Sequence, residues 1–209
     1  MSAFLTDATK NALLDSAVAG SLSAGTPFLS LHTAPGIAGA EVTGGSPAYA
    51  RKAITWNAAS TGLKQIAAAQ TFDVPAGTTV RAVSLFDAST AGTRRAWLPA
   101  GSSARRAFSV DAADVTADTL TSAAHGLVNG NSAVVWPTIG AVLPTGLAED
   151  TEYFVVGATT DTLQLSATFG GAAINLTAIG DGDIQKFVPE VFAAQGTYQV
   201  TAFDVSLPG

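Results

Sequence analysis

No cysteine occurs among the 209 residues. Disulfides, thiolate catalysis and cysteine-ligated zinc are therefore excluded. Only two histidines are present, His32 and His125. A three-histidine metal centre is impossible, and a mixed one would need converging carboxylates. Charge is scarce: 12% of residues are Asp, Glu, Lys or Arg, about half of the roughly 25% usual in soluble domains. No apolar run approaches the roughly 20 residues a helix needs to cross a bilayer, so no membrane insertion is expected. The N-terminus has neither the basic region nor the apolar core of a signal peptide, which predicts synthesis in a host cytoplasm without standard export.

Hydrophobic residues make up 47% of the chain, much of it alanine. A surface with so few charges protects poorly against association. Much of it is therefore expected to meet other subunits; the plainer alternative is a neutral Ser/Thr/Gly/Ala surface. The charge is also segregated. Residues 1–110 carry nine Lys/Arg against five Asp/Glu, and residues 111–209 carry one Lys against eleven Asp/Glu. Two surfaces with different partners would explain that asymmetry. Nucleic acid is not expected as a partner, because a pI near 4.6 is opposite to the basic footprint it requires.

Residues 6–20 read as a short helix. Ser2 or Thr6 can cap it, and Asp7 suits the positive end of the dipole. Leu5, Ala8, Ala12 and Leu13 lie near one face, extended by Ala17, and Gly20 suits the C-terminal stop. From there the pattern is β. Strands are predicted near 28–32, 50–56, 66–74 and 80–86. A hairpin of 94–98 and 104–110 is predicted around Pro99-Ala100-Gly101-Ser102-Ser103. Short strands with Gly/Pro punctuation indicate a sandwich or barrel rather than a parallel α/β sheet.

At residue 111 the composition shifts. Residues 111–185 contain no Lys or Arg and nine Asp/Glu. Strands are predicted near 116–121, 133–136, 152–157, 161–166 and 172–177, closed by a Gly180-Asp181-Gly182-Asp183 turn. Residues 195–207 alternate as a final strand.

Several runs carry a resemblance. Leu31-His32-Thr33-Ala34, Gly44-Gly45-Ser46, Tyr49-Ala50-Arg51 and Val83-Ser84-Leu85-Phe86-Asp87 resemble a phage tail-fibre-like, minor-tail structural protein family. That family carries "LHTA…G" followed by "GGS…YAR". Phe203-Asp204-Val205-Ser206-Leu207 resembles its ordinary ending. His125-Gly126-Leu127-Val128-Asn129-Gly130, with the 149–168 run, is similar to a β-module of phage tail proteins. The resemblance implies an all-β fold: a β-sandwich host domain of residues 1–110 plus 186–209 with the N-terminal helix, and a small β-rich module inserted at 111–185. It also implies a non-enzymatic virion structural protein of tail-fibre or minor-tail type, on the tail or alternatively the capsid surface as a decoration protein. The expected partners are other virion proteins, further copies of the chain (a trimer first), and a host surface glycan or protein. Alternatives of another class are a carbohydrate-binding module and a tail-tip hydrolase.

The residues offer little chemistry, and no catalytic residue, cofactor or metal is assigned. Ser46 precedes Pro47, not the glycine of a nucleophile elbow. The Glu149/Glu152 and Asp181/Asp183 pairs read as solvated turns rather than a glycosidase cleft. Arg94, Arg95, Arg105 and Arg106 gather four of ten basic residues. On the expected hairpin they would lie side by side, either docking on an acidic patch or standing as a solvated end. Trp136 and Tyr153 complete the interaction candidates as aromatic platforms, with a role in the module's own core as the alternative.

Overall fold

The computed structural model describes residues 5–20 and 26–206. Ser2 and Leu207, and the side chain of Ala17, lie outside what is described. Contacts divide the chain into two units, residues 1–33, 40–98 and 191–209 in one and 34–39 and 99–190 in the other. Both are built mainly of short strands, in keeping with the all-β class the sequence predicts.

In the first unit helix α1 spans Asp7–Gly20. The Thr6 hydroxyl accepts from Thr9 N at 3.3 Å as its cap. The face expected to be buried is not: Leu5 and Leu13 are 47% and 44% exposed, while Leu14 is 2% exposed. The cause is polar docking. Asn11 Oδ1 accepts from Gly62 N at 2.8 Å and Asp15 Oδ1 from Ala59 N at 3.0 Å. Asp15 also pairs with Lys64. Lys64, and then the Ala59 amide, hold the Asp15 carboxyl below the usual carboxylate range. Positions 11, 14 and 15 share one helix face, so the amides of the 59–62 turn select that face.

Seven strands follow: β1 Phe28–His32, β2 Lys52–Ala53, β3 Leu63–Gln65, β4 Gln70–Val74, β5 Thr78–Val80, β6 Ala82–Phe86 and β7 Arg94–Pro99. One sheet has the order β2-β1-β6-β7. Its β6 lies between neighbours and is buried at all five positions, so it has no wet face.

The second unit contains β8 Arg106–Val110, helix α2 Ala112–Ala117, β9 Leu120–Thr121, β10 Ser132–Pro137, β11 Tyr153–Val156, β12 Thr162–Ser166 and β13 Gly180–Phe187. The strands close into a barrel in the order β10-β11-β12-β9-β8-β13. Phe108, Leu120, Val135, Tyr153, Leu163 and Ile184 are among the side chains filling it. Three sequence expectations fail here. The predicted hairpin does not form, because β7 joins β6 while β8 pairs with β13 and β9. The strand expected from 116 starts at Leu120, because Asp111 and Asp114 form a capping box that winds α2 first. Residues 172–177 form no strand; the Gly-Asp run expected as a turn opens β13 instead. Its glycines answer close approach rather than a bend. A Cβ on Gly182 would lie 2.5 Å from Trp136 O and 2.7 Å from the Phe108 ring, inside any tolerable contact.

The chain then returns to the first unit. β14 Glu190–Phe192, β15 Gly196–Val200 and β16 Asp204–Ser206 pair with β5, β4 and β3 in turn. The single final strand expected from 195 to 207 is thus two strands, broken at Thr201-Ala202-Phe203. Phe203 is 1% exposed, and its carbonyl accepts from Ile66 N at 3.4 Å. Burying Phe203 between two short ladders takes precedence over continuing one long one.

Candidate functional site

The motif residues of the first unit converge. Tyr49 and Arg51 are two apart in extended chain and so reach toward one side, where both meet Glu41. Arg51 Nε and Nη2 donate to the Glu41 oxygens at 2.9 and 2.7 Å, a bidentate pair. Arg51 Nη1 donates to the carbonyls of Ala88 and Ala91 at 2.8 and 2.7 Å, which fastens the 88–91 loop. The guanidinium also lies 3.6 Å from the Phe86 ring centroid. Tyr49 Oη accepts from Leu31 N at 2.8 Å and donates to Glu41 Oε1 at 3.2 Å. Its ring stacks on Phe72 at 6.0 Å.

The electrostatics follow from that packing. Burial pushes the Glu41 carboxyl up, but hydrogen bonds and charge from Arg51, helped by the Tyr49 hydroxyl, hold it below the usual carboxylate range. Burial, with the Glu41 carboxylate beside it, pushes the Tyr49 phenol well up. Neither group is poised for proton transfer near neutrality.

His32 extends the network, its ring near-parallel to Phe86 with centroids 6.0 Å apart. Arg94 Nη2 lies 2.7 Å from His32 Nδ1, and His32 Nε2 lies 2.8 Å from Ser30 Oγ. A Ser–His contact of this kind invites comparison with a nucleophile and its base. A guanidinium stands where a triad requires a carboxylate, and both Ser30 and His32 are fully buried. With Arg94 donating to Nδ1, the ring must carry its proton on Nε2 and donate to Ser30, the reverse of what activation needs. A surface groove of about 500 Å³ crosses the network, lined by Glu41, Tyr49, Arg51, Ser89, Thr90 and Ala91. Its carboxylate is committed to Arg51.

The interaction candidates scatter. Arg94 is tied to His32. Arg95 pairs with Asp87 at 2.6 Å. The Thr93 amide, and then Arg95, keep the Asp87 carboxyl below its ordinary range. Arg105 lies 4.1 Å over the Trp136 ring. Arg106 stands at the start of β8. Tyr153 is 4% exposed in the barrel core, with its hydroxyl accepting from Ala148 N at 2.8 Å. The four arginines form no single hairpin patch, because β7 and β8 pair with other strands. Among the described residues no group of three or more His, Asp or Glu could hold a metal ion, and no helix is long and apolar enough to cross a membrane.

The model of the family described as podophage GP4 fiber I protein gp80 matches residues 4–123, more than half of the 209-residue chain. The chain belongs to this gp80 fibre family. Membership gives it a place in the phage tail, among other virion proteins. The gp80 match spans the whole Glu41–Tyr49–Arg51–Phe86 network and ends just after β9. No curated protein and no solved structure matches the chain.

Proposed function

We propose that this gp80-family chain is a non-enzymatic structural component of a tailed-phage fibre, working as a homo-oligomer with a trimer as the first expectation. Residues 111–185 are read as a module inserted between strands of the host unit, meeting a host surface or a neighbouring virion protein. The observation that carries the reading is the use of the motif residues. The Tyr-Ala-Arg run and its Glu41 are spent on each other, on loop carbonyls and on an aromatic ring, which is the economy of a scaffold. Low charge supports assembly. So do apolar side chains left in solvent: Ile139, Val142 and Ile179 in the second unit are 90%, 76% and 67% exposed.

Labelling the chain on intact particles tests this. The expected label sits on tail fibres at a few copies per particle. Hundreds of copies over the head would make it a capsid decoration protein, and no label on purified particles would refute a structural role altogether.

A further inference from the structure

Between residues 99 and 190 the chain carries ten Asp/Glu but only three cations, Arg105, Arg106 and Lys186. Arg105 is occupied by Trp136. The other two meet at one rim of the barrel. Arg106 is paired with Ile184, and Lys186 follows Ile184 by two residues on β13. Ile184 and Phe108 both point into the barrel core, so by strand parity Arg106 and Lys186 share that inward side at the strand ends. A pocket of about 290 Å³ opens there, lined by Ser103, Ala104, Arg106, His125, Leu127 and Lys186 among others, and no Asp or Glu lines it.

His125 closes one wall and is itself fully used. Its Nδ1 accepts from Leu127 N at 2.9 Å, and its Nε2 lies 3.3 Å from Thr162 O. Both ring nitrogens are thus engaged by backbone groups of the barrel. Among the described residues, neither the Arg106 guanidinium nor the Lys186 ammonium has an ion pair. Two like charges on diagonal positions of adjacent strands repel. In a unit so rich in acids, two cations without an ion pair among the described residues, over a small pocket that no acid lines, mark a place for an outside negative group.

We propose that this barrel mouth binds a small oxyanion-bearing ligand, the carboxylate or phosphate group of an acidic saccharide. Arg106 would grip the group through two N–H donors, and Lys186 would add a point charge. The volume stands at the lower end of small-molecule sites, about 300 Å³, which suits one acidic sugar residue. Barrel mouths are common ligand sites. The assignment gives the fibre reading a ligand class, but the site itself stands on residues of the second unit alone.

Saturation-transfer NMR on the full chain tests it with glucuronate, glucose and inorganic phosphate as probes. Glucuronate is expected to show transfer at millimolar concentration and glucose none, with excess phosphate suppressing the glucuronate signal. Arg106→Gln/Lys186→Gln should weaken glucuronate binding at least about tenfold, the loss of one charge-assisted contact or more. Arg95→Gln serves as the unaffected control. The single variants Arg106→Gln and Lys186→Gln, each expected to weaken binding several-fold, carry the test if the double variant does not fold. Phosphate binding without glucuronate binding, lost in the same variants, would retain the oxyanion site and assign it to phosphate groups. Absence of binding by either anion, or binding indifferent to both substitutions, would overturn the proposal. Either result is independent of where the chain sits on a particle.

Discussion

Arg51→Met is expected to destabilise the first unit by about 3 kcal/mol at pH 7, the lower end of the cost of orphaning a buried ion-pair partner. The lower end applies because the Glu41 side chain keeps 24% of its exposure, against 8% for Arg51. Methionine preserves much of the volume over Phe86 but removes both bonds to Glu41 and both bonds to the 88–91 loop. The loss should depend on pH in a defined direction. The folded-state carboxyl of Glu41 is depressed from its ordinary 4.5, so its stabilising contribution is complete above that value and fades as pH falls through the lower folded-state value. In the variant the same carboxyl keeps the Tyr49 hydrogen bond but loses both bonds and the charge of Arg51, so burial weighs more heavily and it takes up a proton more readily. The gap between wild type and variant should therefore be widest above about pH 5 and narrow in acid. Urea unfolding in a Trp136→Phe background measures this, because Trp56 and Trp97 then report on the first unit alone. A variant as stable as wild type at pH 7 would mean the network is ornamental. Glu41→Gln/Arg51→Met should recover part of the loss, since it removes the stranded charge.

Phe72→Ala is expected to cost more, about 3–5 kcal/mol. Phe72 is fully buried in β4, opposite Tyr198 on β15, and its ring stacks on Tyr49. Its removal opens a cavity beneath the residue that positions Glu41. It also weakens the ladder through which the C-terminal segment returns. Amide hydrogen exchange should show protection lost first along 70–74 and 196–200, with the barrel amides unchanged. Loss spread equally over both units would contradict their separate cores.

The sequence announced its strands where side chains alone decide. Residues 28–32 form as read, while the run read as one strand from 80 to 86 divides between the end of β5 at Val80 and β6 from Ala82. The motif words also foretold a scaffold, but not its wiring. Glu41 stands alone in a Gly/Ala loop, and the i, i+2 spacing of Tyr49 and Arg51 was the one available hint that all three meet. What stayed hidden depends on partners distant in the chain. The Gly-Asp run before β13 has the composition of a turn, and only the nearness of Trp136 and Phe108 explains its glycines. Helix α1 has an apolar face by period but is held by its polar one, because the 59–62 amides needed acceptors. The barrel-mouth pair joins Arg106 to a residue eighty positions later. Its only trace in sequence is that Arg105, Arg106 and Lys186 are the sole cations between residues 99 and 190.

A chain with 12% charged residues and a motif spent on its own scaffold should persist only with its surface covered by other chains. Sedimentation equilibrium of the purified protein measures this without reference to any ligand. The expected mass is three times the 20.9 kDa of one chain, held on dilution into the micromolar range. A stable 20.9 kDa monomer at high concentration would contradict it.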